Sequence, residues 1–130
     1  MTQFEIAALY IGLNVFLFVA LKLNAGRVRT GEKVDFGQGD SDRMARAMRV
    51  QGNAVEDTPI TLLGILALAA LAAPGTLIHA LGATLTVSRV LHAIGLGGSG
   101  GASFGRLVGT LGTLITMLVT SGACIYYAAF

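Results

Sequence analysis

Charge is what this chain has least of. Only 12% of its 130 residues are charged while 54% are hydrophobic, a balance that excludes an ordinary water-soluble domain. The formal charge of +2 is too small to draw nucleic acid, and no nucleic-acid partner is expected. The single cysteine, Cys124, excludes an internal disulfide and supplies no metal site. It lies in the last apolar run and reads as a small buried thiol. A basic n-region is missing from Met1–Glu5, and no small-residue cleavage site follows the first apolar run. Lys22, Arg27 and Arg29 close that run instead, so it is expected to persist as a first span and not as a secretory signal. Proline is also scarce, with two in the chain. Pro59 withdraws a backbone donor inside the second run and predicts a kink, and Pro74-Gly75 predicts its end.

What is present is apolar and gathered into long runs. Four segments approach the ~20 residues that cross a bilayer as a helix. The expected spans are 4–23, 43–73, 76–96 and 105–129, with a polar loop over 24–42. Little chain is left for anything else. The reading is a single all-α integral membrane domain over 1–130, a four-transmembrane-helix bundle embedded in the lipid bilayer.

The nine basic residues gather at one end of this layout. Lys22, Arg27, Arg29, Lys33, Arg43, Arg46 and Arg49 flank or fill the first connection, Arg89 sits in the inner half of the third span, and Arg106 opens the fourth. The second connection carries no charge. The positive-inside rule therefore predicts both termini outside and the basic loop in the cytoplasm. Within the loop, Asp40, Ser41 or Asp42 is expected to cap the second helix. Ala8 with Gly12, and Gly105, Gly109 and Gly112, are small residues suited to close helix packing. The glycine-rich stretch Gly95–Ser103 reads as a cytoplasmic connection, and it makes no phosphate cradle.

The most informative segment is Arg49-Val-Gln-Gly-Asn-Ala-Val-Glu-Asp-Thr-Pro59, which runs straight into an apolar span. Arg49, Asn53 and Glu56 are spaced i, i+4 and i+7, which puts them on one helical face. Arg46, Gln51, Asp57, Arg89, His92 and Arg106 fall at the same membrane depth. Ion pairing between helices, such as Glu56 with Arg89, is one reading of this cluster. The cations outnumber the two acids, however, and an unpaired buried cation is costly, so a missing anion is the other. Arginines suit carboxylates or phosphates, and Glu56 suits an ammonium. Zwitterions bearing carboxylates and one amine match this mix, glutathione among them.

The same segment resembles the signature of the MAPEG family, the membrane-associated proteins of eicosanoid and glutathione metabolism. That signature is Arg, a polar residue two on, Asn four on, Glu seven on and Pro ten on. Arg89-Val-Leu-His-Ala-Ile-Gly95 and the four-span layout are similar as well, and the Gly-Asn-Ala-Val-Glu version resembles the family's bacterial branch. The resemblance implies a homotrimer in a bacterial inner membrane, with glutathione held between neighbouring subunits at the cytoplasmic side. Carried over by position, Arg49, Asn53 and Glu56 bind the peptide with Gln51 as a helper, and Arg89 and His92 face it from the adjacent subunit. Arg106 resembles the arginine that stabilises the thiolate, His92 matches a histidine of the prostaglandin-synthase members, and Arg27 or Arg29 adds a contact.

Two positions depart from the pattern. Asp57 stands where some members carry tyrosine, and Leu96 replaces a tyrosine one turn beyond the histidine. The expected activity is glutathione-dependent transfer or peroxide reduction on a lipophilic small molecule. The rival expectations are a non-catalytic membrane protein retaining the polar site, or a small four-helix transporter. The transporter fits poorly, because the acids on the helices are Glu5 at the rim and Glu56 with Asp57 among arginines.

Overall fold

The computed structural model describes residues 1–98 and 101–130. Four helices, α1 (Gln3–Glu32), α2 (Asp42–Ala70), α3 (Gly75–Gly98) and α4 (Phe104–Ala129), carry the fold. No strand occurs among the described residues. All four helices are long and apolar enough to cross a membrane.

Their ends follow from local chemistry. Thr2 and Glu5 form a reciprocal cap on α1: the Glu5 amide donates to the Thr2 hydroxyl at 3.2 Å and the Thr2 amide to the Glu5 carboxylate at 2.8 Å, so two orphan donors are satisfied. Ser41, of the three expected candidates, caps α2 by accepting from the Met44 amide at 3.1 Å. The chain stops α2 at Ala70, short of the expected residue 73. Ala72 turns left-handed at φ 56°, and the Ala73 amide reaches back to the Leu68 carbonyl at 3.0 Å. The following Pro74 disfavours helix at Ala73 in any case. Pro59 does not end α2, which runs unbroken through it.

The expected loop over 24–42 needs correction. Its first part, 24–32, is helical and belongs to α1. Ala25 and Val28 face inward there and pack with Met44 and Ala47 of α2, and this burial outweighs the polar composition of the segment. Lys33, left-handed at φ 54°, closes the helix. Arg29 then pins the true connection by donating to the carbonyls of Val34 and Gly37, both at 3.1 Å. The expected glycine-rich connection is shorter too, since Gly95–Gly98 are the last residues of α3; residues 99 and 100 lie outside the described residues.

In the bundle, α2 and α3 form the central pair. α1 and α4 each touch both of them and do not touch one another. The main apolar core joins Ile6 and Ala7 of α1, Leu62, Ile65 and Leu68 of α2, and Ile78, Leu81 and Leu85 of α3. It sits toward the end where α2 turns into α3. Asn14, fully buried, ties α1 to α3 by donating to the Thr86 hydroxyl at 2.8 Å. Above it the Tyr10 hydroxyl and His79 Nδ1 share a hydrogen bond of 3.0 Å. Neither Ala8 nor Gly12 packs within the subunit: both are exposed, and nothing approaches within 4 Å of a Cβ built on Gly12. At the opposite end the Ala25–Val28–Met44–Ala47 cluster joins α1 to α2, and polar side chains gather between α2, α3 and α4.

Candidate functional site

At that end α4 is drawn against α3 by a seam of glycines. A Cβ on Gly109 would lie 2.5 Å from the Ser88 carbonyl oxygen and 2.6 Å from His92 Cβ, and one on Gly105 would lie 2.9 Å from the Leu91 carbonyl oxygen. Only bare backbone allows this approach, as expected for Gly105 and Gly109. The seam fixes the next residues round each helix, Arg89 and His92 on α3 and Thr110 and Thr113 on α4. These four, with Asn53 and Asp57 of α2 and Leu114 and Met117 of α4, line a cleft of about 220 Å³.

Arg89 and His92 are 3% and 4% exposed. The Arg89 guanidinium has one hydrogen bond, an Nη1 donation to the Thr113 hydroxyl at 3.4 Å, while that hydroxyl donates to the Gly109 carbonyl at 2.8 Å. Among the described residues, Arg89 Nε and His92 Nδ1 have no partner. Asp57 lines the same cleft, yet among the described residues the ion pairs are Arg43–Glu32 and Arg49–Glu56, not one with Arg89. The Glu56–Arg89 bridge considered from sequence is thus absent, and a buried cation is left short of acceptors. Such a group costs several kcal/mol unless something completes its coordination.

Arg49, Asn53 and Glu56 do share one face. Arg49 Nη1 and the Glu56 carboxylate lie 3.4 Å apart with both side chains more than half exposed, and the Asn53 amide donates to the Arg49 carbonyl at 3.1 Å. An exposed pair of this kind contributes at most about 1 kcal/mol, so a ligand's own charges displace it at little cost. Asn53 belongs to both the exposed stripe and the cleft, and it joins them. Arg106 occupies the first turn of α4 and is exposed. Its carbonyl accepts from the Thr110 hydroxyl at 2.8 Å, which sets it one turn from the cleft wall on the same face.

Within one chain, Arg89 and His92 line a cleft with Asn53 and Asp57. The other expected site residues fall in different places. Gln51 is not beside the stripe: two residues on from Arg49 means ~200° round a helix, and it lines a groove with Val15, Val19 and Lys22 of α1. Arg29 is already committed to the loop carbonyls, whereas Arg27 is exposed. Leu96, standing for the second family tyrosine, is buried and apolar. Thr110, Thr113 and Met117 were not anticipated. They continue the Arg106 face at helical spacing, and following that periodicity down α4 finds them.

Known proteins add a consistent frame. Over 90 residues, 69% of either chain, the sequence is 30% identical to the inner membrane protein YecN of Escherichia coli K12, and equally to YecN of E. coli O6:H1. No solved structure matches. With four candidate spans and an inner membrane relative, the chain is an integral membrane protein. The pattern that defines the MAPEG family matches residues 7–126, nearly the whole bundle, and the chain belongs to that family.

Proposed function

We propose that this chain is a membrane-embedded, glutathione-dependent transferase or peroxidase acting on a hydrophobic substrate. In this reading it works as a homotrimer in a bacterial inner membrane, with the termini outside and the basic loop in the cytoplasm. The observation that carries it is the pair of buried nitrogens without partners, Arg89 Nε and His92 Nδ1, facing a cleft that also holds Asp57 and Asn53. Glutathione fits such a donor set. Its carboxylates suit Arg89 and Arg49, and its ammonium suits Glu56 or Asp57. At about 220 Å³ the cleft is smaller than the ~300–1,000 Å³ of most small-molecule sites. The remainder of the tripeptide would therefore extend over the exposed Arg49–Asn53–Glu56 stripe. Gln51, on the far face, takes no part within one subunit.

Glutathione supplies the sulfur nucleophile. A thiol with an ordinary pKa near 8.5 is mostly protonated at neutral pH, and a guanidinium at the cleft mouth favours the thiolate. Arg106, one turn before Thr110 of the cleft wall, would take that role, and the N-terminus of α4 adds its dipole in the same sense. His92, which lines the cleft, would return a proton to a departing group. In a transfer reaction the sulfur bonds to the electrophilic carbon, and the leaving group departs with its electron pair.

Calorimetric titration of glutathione into the purified protein tests this. Arg49→Ala and Glu56→Ala should each weaken binding about tenfold or more, the size of a lost charge-assisted hydrogen bond. Unchanged affinity in both would remove the basis for the site. Arg106→Ala should bind glutathione as before but conjugate chlorodinitrobenzene more slowly.

A further inference from the structure

Three helices leave another cleft at the basic end of the bundle, apart from the one lined by Arg89 and His92. Asn24 and Val28 of α1, Arg43, Arg46 and Ala47 of α2, and Gly97 of α3 enclose about 270 Å³. Val28 and Ala47 are buried members of the α1–α2 cluster, so the polar side chains are two guanidinium groups and one amide. Among the described residues no carboxylate lines the cleft. Arg43 and Arg46 are spaced i, i+3 on one helical face, a like-charge pair that repels. Arg43 meets Glu32 at 3.5 Å with its side chain 65% exposed, so little holds it there. Glu32 also accepts from the Ser41 hydroxyl at 2.9 Å and can release Arg43 without being stranded. Arg46 is partly buried and belongs to neither ion pair found among the described residues.

The depth of this cleft bears on what fills it. The apolar run of α1 ends at Leu23, so the cleft starts one residue beyond it and reaches Val28 about 6 Å further along the helix. That is the level of the lipid headgroups, a layer about 5–7 Å deep on either side of the hydrocarbon. Toward the hydrocarbon, Val87, Val90 and Ile94 of α3 are exposed and share a helical face with Gly97 at spacings of three and four. An apolar stripe thus leads up to the edge of a cationic cleft.

We propose that this cleft binds an anionic phospholipid, with the phosphodiester between Arg43 and Arg46 and an acyl chain along Val87, Val90 and Ile94. The planar forks suit phosphate oxygens, and basic pockets between membrane helices take such headgroups. The lining also selects the lipid class. The ammonium of a zwitterionic headgroup would meet two cations and no counter-ion, whereas the hydroxyls of a glycerol headgroup can pair with Asn24. Free phosphate offers the same oxygens to the forks and nothing to the stripe. The site is separate from the Asp57–Arg89–His92 cleft and stands whether or not that cleft takes glutathione.

Native mass spectrometry of the full chain released from micelles, with dioleoylphosphatidylglycerol or dioleoylphosphatidylethanolamine added, reads the preference. Phosphatidylglycerol should bind about twentyfold more tightly, at about fivefold for each arginine. Arg43→Gln and Arg46→Gln should each lower that preference about fivefold and together abolish it, while Lys33→Gln, outside the cleft, should leave it. Gly97→Leu adds a side chain where a Cβ meets nothing closer than 4.0 Å. It fills the cleft without touching its charge and should weaken phosphatidylglycerol as well. Millimolar inorganic phosphate should not displace the lipid. Equal binding of the two lipids, or an unchanged preference in the double variant, would overturn the site. Displacement by inorganic phosphate would overturn the lipid as occupant and make a free anion the ligand.

Discussion

Three arginines show how differently one side chain is used here. Arg29 spends its guanidinium on two loop carbonyls and is a structural clamp. Arg49 sits in an exposed pair with Glu56, which holds little energy and opens easily. Arg89 is buried with one hydrogen bond and an unpartnered Nε, an arrangement that does not stabilise the fold. Arg89→Met, which keeps the volume and removes the charge, should therefore leave thermal unfolding in detergent unchanged or raise its midpoint. The same variant should lose glutathione affinity by about tenfold or more. A lowered midpoint with intact affinity would make Arg89 a strut.

Among the elements, the α3–α4 seam sets the geometry of the cleft. Gly109→Ala would place a methyl 2.5 Å from the Ser88 carbonyl oxygen, and backbone cannot swing aside as a side chain can. The helices must part, at about 1–3 kcal/mol, whereas Gly122→Ala meets nothing within 4 Å and should be neutral or mildly stabilising. Unfolding of the two variants in detergent checks the contrast. The seam was legible in the sequence, because glycines at helical spacing inside an apolar run have few other uses. The end of α1 was not: polar composition suggested loop over 24–32, and the partners that make it helix, Met44 and Ala47, lie beyond the turn. Gln51 illustrates a different limit. Its ~200° offset from Arg49 is plain helical arithmetic, but the α1 groove that it lines is not written in that spacing. The cleft itself could not be read from spacing, since that required knowing that α2 packs on α4 as well as on α1.

On the scale of the molecule, the polar cleft and the basic residues sit at one end and the apolar α2–α3 connection at the other. The positive-inside rule predicts how that axis lies in the membrane, with the basic end in the cytoplasm. In a Cys124→Ser background, Gln38→Cys should resist a membrane-impermeant maleimide in intact cells and react once the membrane is opened. Thr76→Cys should react from outside. The reverse pattern would invert the topology and put the cleft on the wrong side for cytoplasmic glutathione.

The absence of contact between α1 and α4 gives the bundle a mechanical asymmetry. α4 carries Arg106 and one wall of the cleft, yet it leans on α2 and α3 alone. α1, which opens into the basic loop, is thus uncoupled from the helix that carries one wall of the cleft. Displacing α4 is resisted by two neighbours instead of three, and the loop need not move with it.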